Sequence, residues 1–100
     1  MTWRLIVREE AEADLIAAAL WYEDQRAGLG VEFTAEVREA MRWIATHPQI
    51  LALLRLVPPV RRVIPHRFPY RIFYYTQGDA VVVFAVLHTA RSDQTWKQRL

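Results

Sequence analysis

The second half of the chain carries a cluster of arginines that could bind an anion. Residues 51–100 contain seven arginines and one lysine against two acids, which gives +6. Residues 1–50 contain nine acids against five arginines, which gives −4. An arginine guanidinium holds a carboxylate or phosphate at two points, which a lysine cannot do. We therefore predict an anionic partner, bound by a surface that includes Arg61, Arg62, Arg67, Arg71, Arg91 and Arg99.

His88 and Trp96 are the other side chains of this half that could take part in chemistry. His88 ends a predicted strand three residues before Arg91, and an imidazole with a pKa of about 6.5 can act as a general acid or base. The alternative, which we favour, is a strand end that is hydrogen-bonded to the backbone. Trp96 could stack on a nucleic-acid base, but we favour an aromatic lid that fixes the C-terminal segment to the sheet.

Several kinds of site are excluded because the residues they need are missing. The sequence has no glycine-rich phosphate loop, no G-x-S-x-G nucleophile motif and no cysteine. Its three histidines lack the i, i+4 spacing of a helical metal site, so we predict neither a metal nor a cofactor. Neither acid of the second half lies near another carboxylate, which argues against hydrolysis by paired carboxylates.

Length and composition predict a single small cytoplasmic domain over residues 1–100. A 53% hydrophobic content is enough for one core in a chain of 100 residues. The longest uncharged runs, 43–54 and 80–90, are shorter than the roughly 18–20 apolar residues of a membrane-spanning helix. Arg4 interrupts the N-terminus too early for a secretory signal. The lack of cysteine fits a reducing compartment.

The apolar periodicity predicts an α+β fold with elements in the order β-α-α-β-β-β. A strand over 3–8, with Trp3, Leu5 and Val7 on its apolar face, precedes two helices. Three strands follow at 60–66, 70–76 and 80–88, and the last is apolar throughout, as in a strand buried on both faces. Gly78-Asp79 predicts a hairpin turn between the last two strands. The helices should form a hairpin that packs on a small, mainly antiparallel sheet.

The two helices are predicted from their caps and their apolar stripes. Four acids at 9–14 suit the N-terminus of the first helix, and Gly28 and Gly30 should end it. Its buried face should contain Ala11, Leu15, Ala18 and Tyr22, broadened by Ile16 and Leu20. The second helix should span 31–47 and bury Phe33, Val37, Met41 and Ile44. A short C-terminal helix over 93–100 should be capped by Ser92 or Asp93.

The sequence contains more apolar residues than one small core needs. Segment 49–59 should be a turn or a helical fragment that covers the core, and it supplies Leu51, Leu53, Leu54 and Leu56. With the wide stripe of the first helix, these residues predict an exposed hydrophobic groove, a feature that usually marks a protein partner. Because arginines surround this segment, the partner should be an acidic amphipathic segment laid into the groove or along a sheet edge.

In their order along the chain, these residues resemble the ParE branch of the RelE/ParE toxins of bacterial type II toxin–antitoxin systems. No single motif is specific, but the ordered set covers nearly the whole of a short chain. In the first half the set is Ala13-Asp14-Leu15, Trp21-Tyr22, Gly28-Leu29-Gly30, Phe33, and Pro48 after Ile44. In the second half it is Val60-Arg61-Arg62, Phe68-Pro69-Tyr70, Ile72, Tyr74, Val86, His88, Arg91, Trp96 and Arg99.

The resemblance implies a toxin that is held inactive by a cognate antitoxin, whose C-terminal segment wraps the toxin in a hetero-oligomer. It leaves two mechanisms open. ParE-like members bind and poison DNA gyrase, whereas RelE-like members cut mRNA in the ribosome. RelE-like members have a tyrosine, or a histidine and a tyrosine, near the C-terminus for proton transfer. We favour gyrase, because the aromatic residue near the C-terminus here is Trp96, whose indole only donates a hydrogen bond. In the alternative, an mRNA endoribonuclease, Arg62, His88 and Arg91 would be the catalytic residues.

Under either mechanism, the resemblance and the charge pattern predict one set of residues that bind antitoxin or target. This set is Arg61, Arg62, Arg67, Arg71, Arg91, Trp96 and Arg99. Substitution of Arg61 or Arg71 is expected to weaken antitoxin binding.

Overall fold

The structure, a computed structural model, describes residues 3–100. Met1 and Thr2, which begin the segment tested above for a secretory signal, lie outside these residues. The α+β order is confirmed, and a short C-terminal helix follows the last strand. The elements are β1 (Arg4–Val7), α1 (Glu9–Gln25), α2 (Leu29–Thr46), β2 (Val60–Val63), β3 (Tyr70–Gln77), β4 (Ala80–His88) and α3 (Gln94–Lys97).

The four strands form one mixed sheet in the order β1-β4-β3-β2. β1 runs parallel to β4, and the other neighbours are antiparallel. A parallel pair needs a crossover connection, which here contains the helical hairpin, β2 and β3. β4 spans Ala80–His88 as predicted and lies between two strands, with every residue but His88 buried. The Gly78-Asp79 turn joins it to β3, and Gly78 has a φ of 60°.

The helical hairpin packs on one face of the sheet through its predicted residues. Phe33, Val37, Met41 and Ile44 of α2 are at most 1% exposed, so the predicted buried face of α2 is confirmed. Ala11, Leu15 and Ala18 of α1 are buried beside them, and Tyr22 packs edge-on against Phe68 and tilted against Phe33. This cluster, with residues of β3 and β4, is the main core of the protein.

The two glycines between the helices have different roles. Gly28, with a φ of 89°, is the left-handed residue at which the chain reverses. The prediction that Gly30 helps to end the first helix is wrong, because Gly30 is buried inside α2. A Cβ at Gly30 would overlap the carbonyl oxygen of Ala19 and lie 3.1 Å from Cβ of Glu23, so the glycine allows the helices to approach closely.

Other predictions fail where an apolar residue faces water. Ile16 and Leu20, expected to broaden the buried stripe of α1, are 54% and 63% exposed because the stripe in contact with the sheet is narrower. Leu5 of β1 is also exposed, since β1 is an edge strand. Segment 49–59 consists of turns, one of its two predicted forms, but of its leucines only Leu51 packs on the main core. β2 ends at Val63, before Pro65.

Candidate functional site

Arg99 does not lie on an open surface, because it joins α1 to β4. Its guanidinium donates to both carboxylate oxygens of Asp14, at 2.6 and 3.0 Å, and to the carbonyl oxygen of Phe84 at 3.1 Å. Both side chains are largely buried. The hydrogen bond that Arg99 donates to Asp14 is the main reason that the pKa of Arg99 is raised. In this structure the residue expected to bind a partner holds the C-terminus on the fold.

Arg71 is also used internally and fixes the start of α3. It is 7% exposed, and its guanidinium donates to Oδ1 of Asp93 at 2.7 Å and to the carbonyl oxygen of Arg91 at 2.6 Å. Trp96, 4% exposed, stacks on Phe73 with ring centroids 5.2 Å apart. The preferred interpretation of Trp96 as a lid over the sheet is therefore confirmed. Asp93 occupies the N-cap position of α3, and Ser92 before it supplies a hydrogen bond, since its Oγ accepts from the Gln94 amide at 3.1 Å.

Acidification should loosen α3 through Asp93. The hydrogen bond from Arg71, with a smaller contribution from Trp96, lowers the pKa of Asp93 below its ordinary value of 3.8. Stabilisation from this group is therefore complete above pH 3.8 and is lost as the pH falls through the folded pKa. We expect the NMR signal of the Trp96 indole to shift with a midpoint below pH 3.8. The shift should be absent in Asp93→Asn and kept in Asp79→Asn, and a midpoint unchanged by Asp93→Asn would contradict this assignment.

Arg61 and Arg67 lie at the surface but are partly engaged. Nε of Arg61 donates to the carbonyl oxygen of Leu51 at 2.7 Å and so fixes the loop before β2. Arg67 is exposed and pairs with Glu32 at 3.3 Å, and its backbone amide donates to Glu36 at 3.0 Å. Because Arg61 and Arg71 stabilise the fold itself, loss of antitoxin binding on their substitution would not identify a contact.

Arg62 and Arg91 are the predicted residues whose side chains remain free. Both are exposed, and within residues 3–100 neither guanidinium donates a hydrogen bond to another group. Arg62 lies on the edge strand β2, whereas Arg91 follows β4 and lines a cleft beside α1. These two arginines are available for an anionic partner without a change in the fold.

The cleft beside Arg91 has a volume of about 610 Å³ and contains His88. Its other walls come from α1 and from the start of β3, among them Asp14, Trp21, Tyr22 and Tyr70. Nδ1 of His88 accepts a hydrogen bond from the backbone amide of Ala90 at 3.0 Å, as expected for a strand end that is hydrogen-bonded to the backbone. The ring of Tyr70 meets His88 edge-on at 5.4 Å, and burial raises the pKa of Tyr70, which keeps its hydroxyl protonated.

Arg62 and His88 lie on opposite faces of the sheet. Arg62 pairs with Phe73, and His88 pairs with Tyr70. Positions 70 and 73 of β3 point to opposite faces, since β3 alternates regularly and the extra residue at the register shift, Phe84, lies in β4. The three residues suggested for RNA cleavage, Arg62, His88 and Arg91, are therefore not assembled around one point.

Sequence reasoning missed the role of Asp14 in this region. It was interpreted as part of an acidic helix N-terminus, but it accepts from Arg99 and, at 2.9 Å, from the backbone amide of Val86. A usable signal was present. Asp14 lies three residues after Ala11 and four before Ala18, on the buried side of α1, where a carboxylate needs a partner.

Two further observations concern kinds of site. Within residues 3–100, no cluster of three or more histidine or acidic side chains is arranged to hold a metal ion. No helix in that part of the chain is long and apolar enough to cross a membrane.

Comparison with known proteins identifies a family and a similar solved structure. The family model described as the ParE toxin of the type II toxin–antitoxin system parDE matches residues 5–93. A solved structure titled "Chromosomal ParDE TA system from P. aeruginosa" is similar with a TM-score of 0.76 and 18% sequence identity. The similarity covers 87% of this chain and 96% of that one, and at this identity it shows the fold alone. A search of curated proteins found no match. Trp96 and Arg99 lie beyond the matched residues.

Proposed function

The chain belongs to the ParE toxin family of type II toxin–antitoxin systems, and from this premise we propose that it inhibits DNA gyrase by binding it and is neutralised by a cognate antitoxin. The family match over residues 5–93 carries the proposal. The antitoxin should be acidic where it meets the toxin, because residues 40–78 contain six arginines and no acid. A complex of toxin and antitoxin is then a hetero-oligomer.

The arrangement of the free arginines supports binding rather than catalysis. Arg62 is exposed on the outer edge of the sheet, distant in register and opposite in face from His88. A group that binds a partner needs only exposure and charge, whereas general acid–base catalysis needs the acid, the base and the stabilising cation around one atom. Arg62 meets the first requirement without meeting the second.

The His88 cleft supports a second candidate, an mRNA endoribonuclease that acts in the ribosome. The cleft contains an imidazole, a protonated tyrosine hydroxyl and a free arginine in His88, Tyr70 and Arg91. These groups could move a proton and stabilise a charged phosphate. This candidate requires that the double variant His88→Ala, Arg91→Ala lose cleavage of translated mRNA. Cleavage that survives in that variant would remove the assignment.

A charge reversal at Arg62 tests the gyrase proposal. We expect Arg62→Glu to raise the toxin concentration that halves gyrase supercoiling by about tenfold or more, because an attraction becomes a repulsion at the contact. The measurement is DNA supercoiling by purified gyrase with increasing toxin. Arg4→Glu is the matched control, since Arg4 is an exposed strand arginine on the opposite edge of the sheet. Equal inhibition by both variants would exclude Arg62 from the contact, and no inhibition by wild-type toxin would overturn the proposal.

A further inference from the structure

Residues 50–57, here called the apolar loop, form an ordered segment with unusually exposed apolar side chains. Leu56 and Val57 are 75% and 81% exposed, and Ile50 is 69% exposed. Leu53 and Leu54 are also exposed. Single exposed apolar residues are common, but five within eight residues form a patch of the kind that marks a contact with another protein.

The apolar loop is held in place by hydrogen bonds at both ends. At its start, the buried hydroxyl of Tyr74 donates to the carbonyl oxygen of Pro48 at 3.2 Å, and Arg61 donates to Leu51. At its end, the Leu54 amide donates to Val60 at 2.7 Å, and the Val60 amide donates to Arg55 at 2.9 Å. A surface held in this way loses little conformational freedom on binding, which favours affinity.

The edge of β2 continues this surface. The amide and carbonyl of Val60 point away from β3, because they bond to residues 54 and 55. Arg62 is two residues further along the strand, so its backbone groups point the same way. Apart from the strand pairing, no described residue forms a hydrogen bond with the amide or the carbonyl of Arg62. The Arg62 side chain is free as well, so this edge offers both backbone hydrogen bonds and a positive charge.

The charge of this surface identifies the kind of partner. Arg55 lies within the apolar loop, Arg62 follows it on β2, and the sequence has no acid from residue 40 to residue 78. A second copy of the chain would bring these arginines against their own equivalents, which is unfavourable. A nucleic acid would satisfy the arginines but would leave the leucines without apolar contacts. A protein segment with apolar side chains on one side and acids at its margins satisfies both.

We propose that the apolar loop and the adjoining edge of β2 are the docking surface for an acidic amphipathic segment of the antitoxin. This inference rests on the proposed function and adds to it the location of the antitoxin. Since Arg62 belongs to the same surface, an antitoxin bound there covers the arginine that we assign to the target. Neutralisation then follows from direct competition.

Binding of the protein encoded by the reading frame adjacent to the toxin gene tests this docking surface. We expect Leu56→Asp and Val57→Asp each to weaken binding by about tenfold or more, since each removes an apolar contact and adds a repulsive charge. Both side chains project mainly into water, so the variants should keep the wild-type melting temperature. Leu20→Asp, at a 63% exposed position of α1, is the control and should bind like wild type.

Each result has one meaning. Wild-type affinity in Leu56→Asp and Val57→Asp would overturn the docking surface and leave the proposed function standing. Weakening by Leu20→Asp alone would place the antitoxin on the helical hairpin and would also overturn it. A wild-type toxin that is dimeric, and that Leu56→Asp makes monomeric without loss of affinity, would assign the apolar loop to a second copy. Failure of wild-type toxin to bind would overturn the proposed function as well.

Discussion

Arg99→Ala is expected to lower the free energy of unfolding by about 3 kcal/mol, because it leaves the Asp14 carboxylate largely buried without its cation. Asp14 would keep only its hydrogen bond from the Val86 amide, and the Phe84 carbonyl would lose a donor. The side chains of the pair are 20% and 14% exposed, so solvent cannot replace Arg99 fully. Chemical denaturation of the purified variant at neutral pH measures the change.

The exposed pair of Arg4 and Asp79 is the control for this prediction. Its side chains are 66% and 58% exposed, so Arg4→Ala should cost no more than about 1 kcal/mol. The double variant Arg99→Ala, Asp14→Asn should recover part of the loss, since it removes the buried charge. Equal effects of Arg99→Ala and Arg4→Ala would show that the Asp14–Arg99 pair does not hold the C-terminus in place.

Gly30→Val is expected to destabilise the protein by about 3 kcal/mol, because the added side chain has no space between the helices. A glycine inside a helix otherwise costs about 1 kcal/mol relative to alanine, so its replacement would stabilise a helix that had space for a side chain there. A decrease in the free energy of unfolding therefore indicates the close contact. The new Cβ would meet the Ala19 carbonyl and the Glu23 side chain. Glu23 would then lose its bonds from the amides of Gly28 and Gly30, at 2.7 and 3.0 Å.

Val31→Ala is the neighbouring control for Gly30. Val31 is 71% exposed in the same turn of α2, and its substitution should change the free energy of unfolding by less than about 0.5 kcal/mol. Thermal unfolding followed by circular dichroism compares the two variants. A Gly30→Val protein as stable as wild type would mean that the helices can separate at Gly30 without loss of packing elsewhere.

Much of the fold follows from local patterns. The uninterrupted apolar run at 80–88 predicts a strand buried on both faces, and β4 has those bounds. The four residues predicted for the buried face of α2, Phe33, Val37, Met41 and Ile44, are all buried. In both cases, burial is decided by the period of the sequence within one element. Where burial also depends on how much of the element a neighbouring element covers, as for Ile16 and Leu20, the apolar periodicity alone overestimates the buried face.

The candidate site was less predictable, because arginines look alike in sequence. Arg71 and Arg99 are buried by partners 22 and 85 residues away, whereas Arg62 has none among the described residues. Whether Arg62 and His88 share a face depends on strand register and on the position of the irregularity in β4. Charge counts therefore predict a basic half, but only the tertiary contacts separate the arginines that hold the fold from those that can meet a partner.

Trapping of cleaved DNA on gyrase is the most direct test of the proposed mechanism. Purified gyrase and DNA should accumulate covalent protein–DNA breaks when wild-type toxin is added, and addition of the antitoxin should abolish them. Arg62→Glu should reduce the breaks at equal toxin concentration. If wild-type toxin instead leaves gyrase unaffected while it cleaves translated mRNA in the ribosome, the binding mechanism proposed for this protein is contradicted.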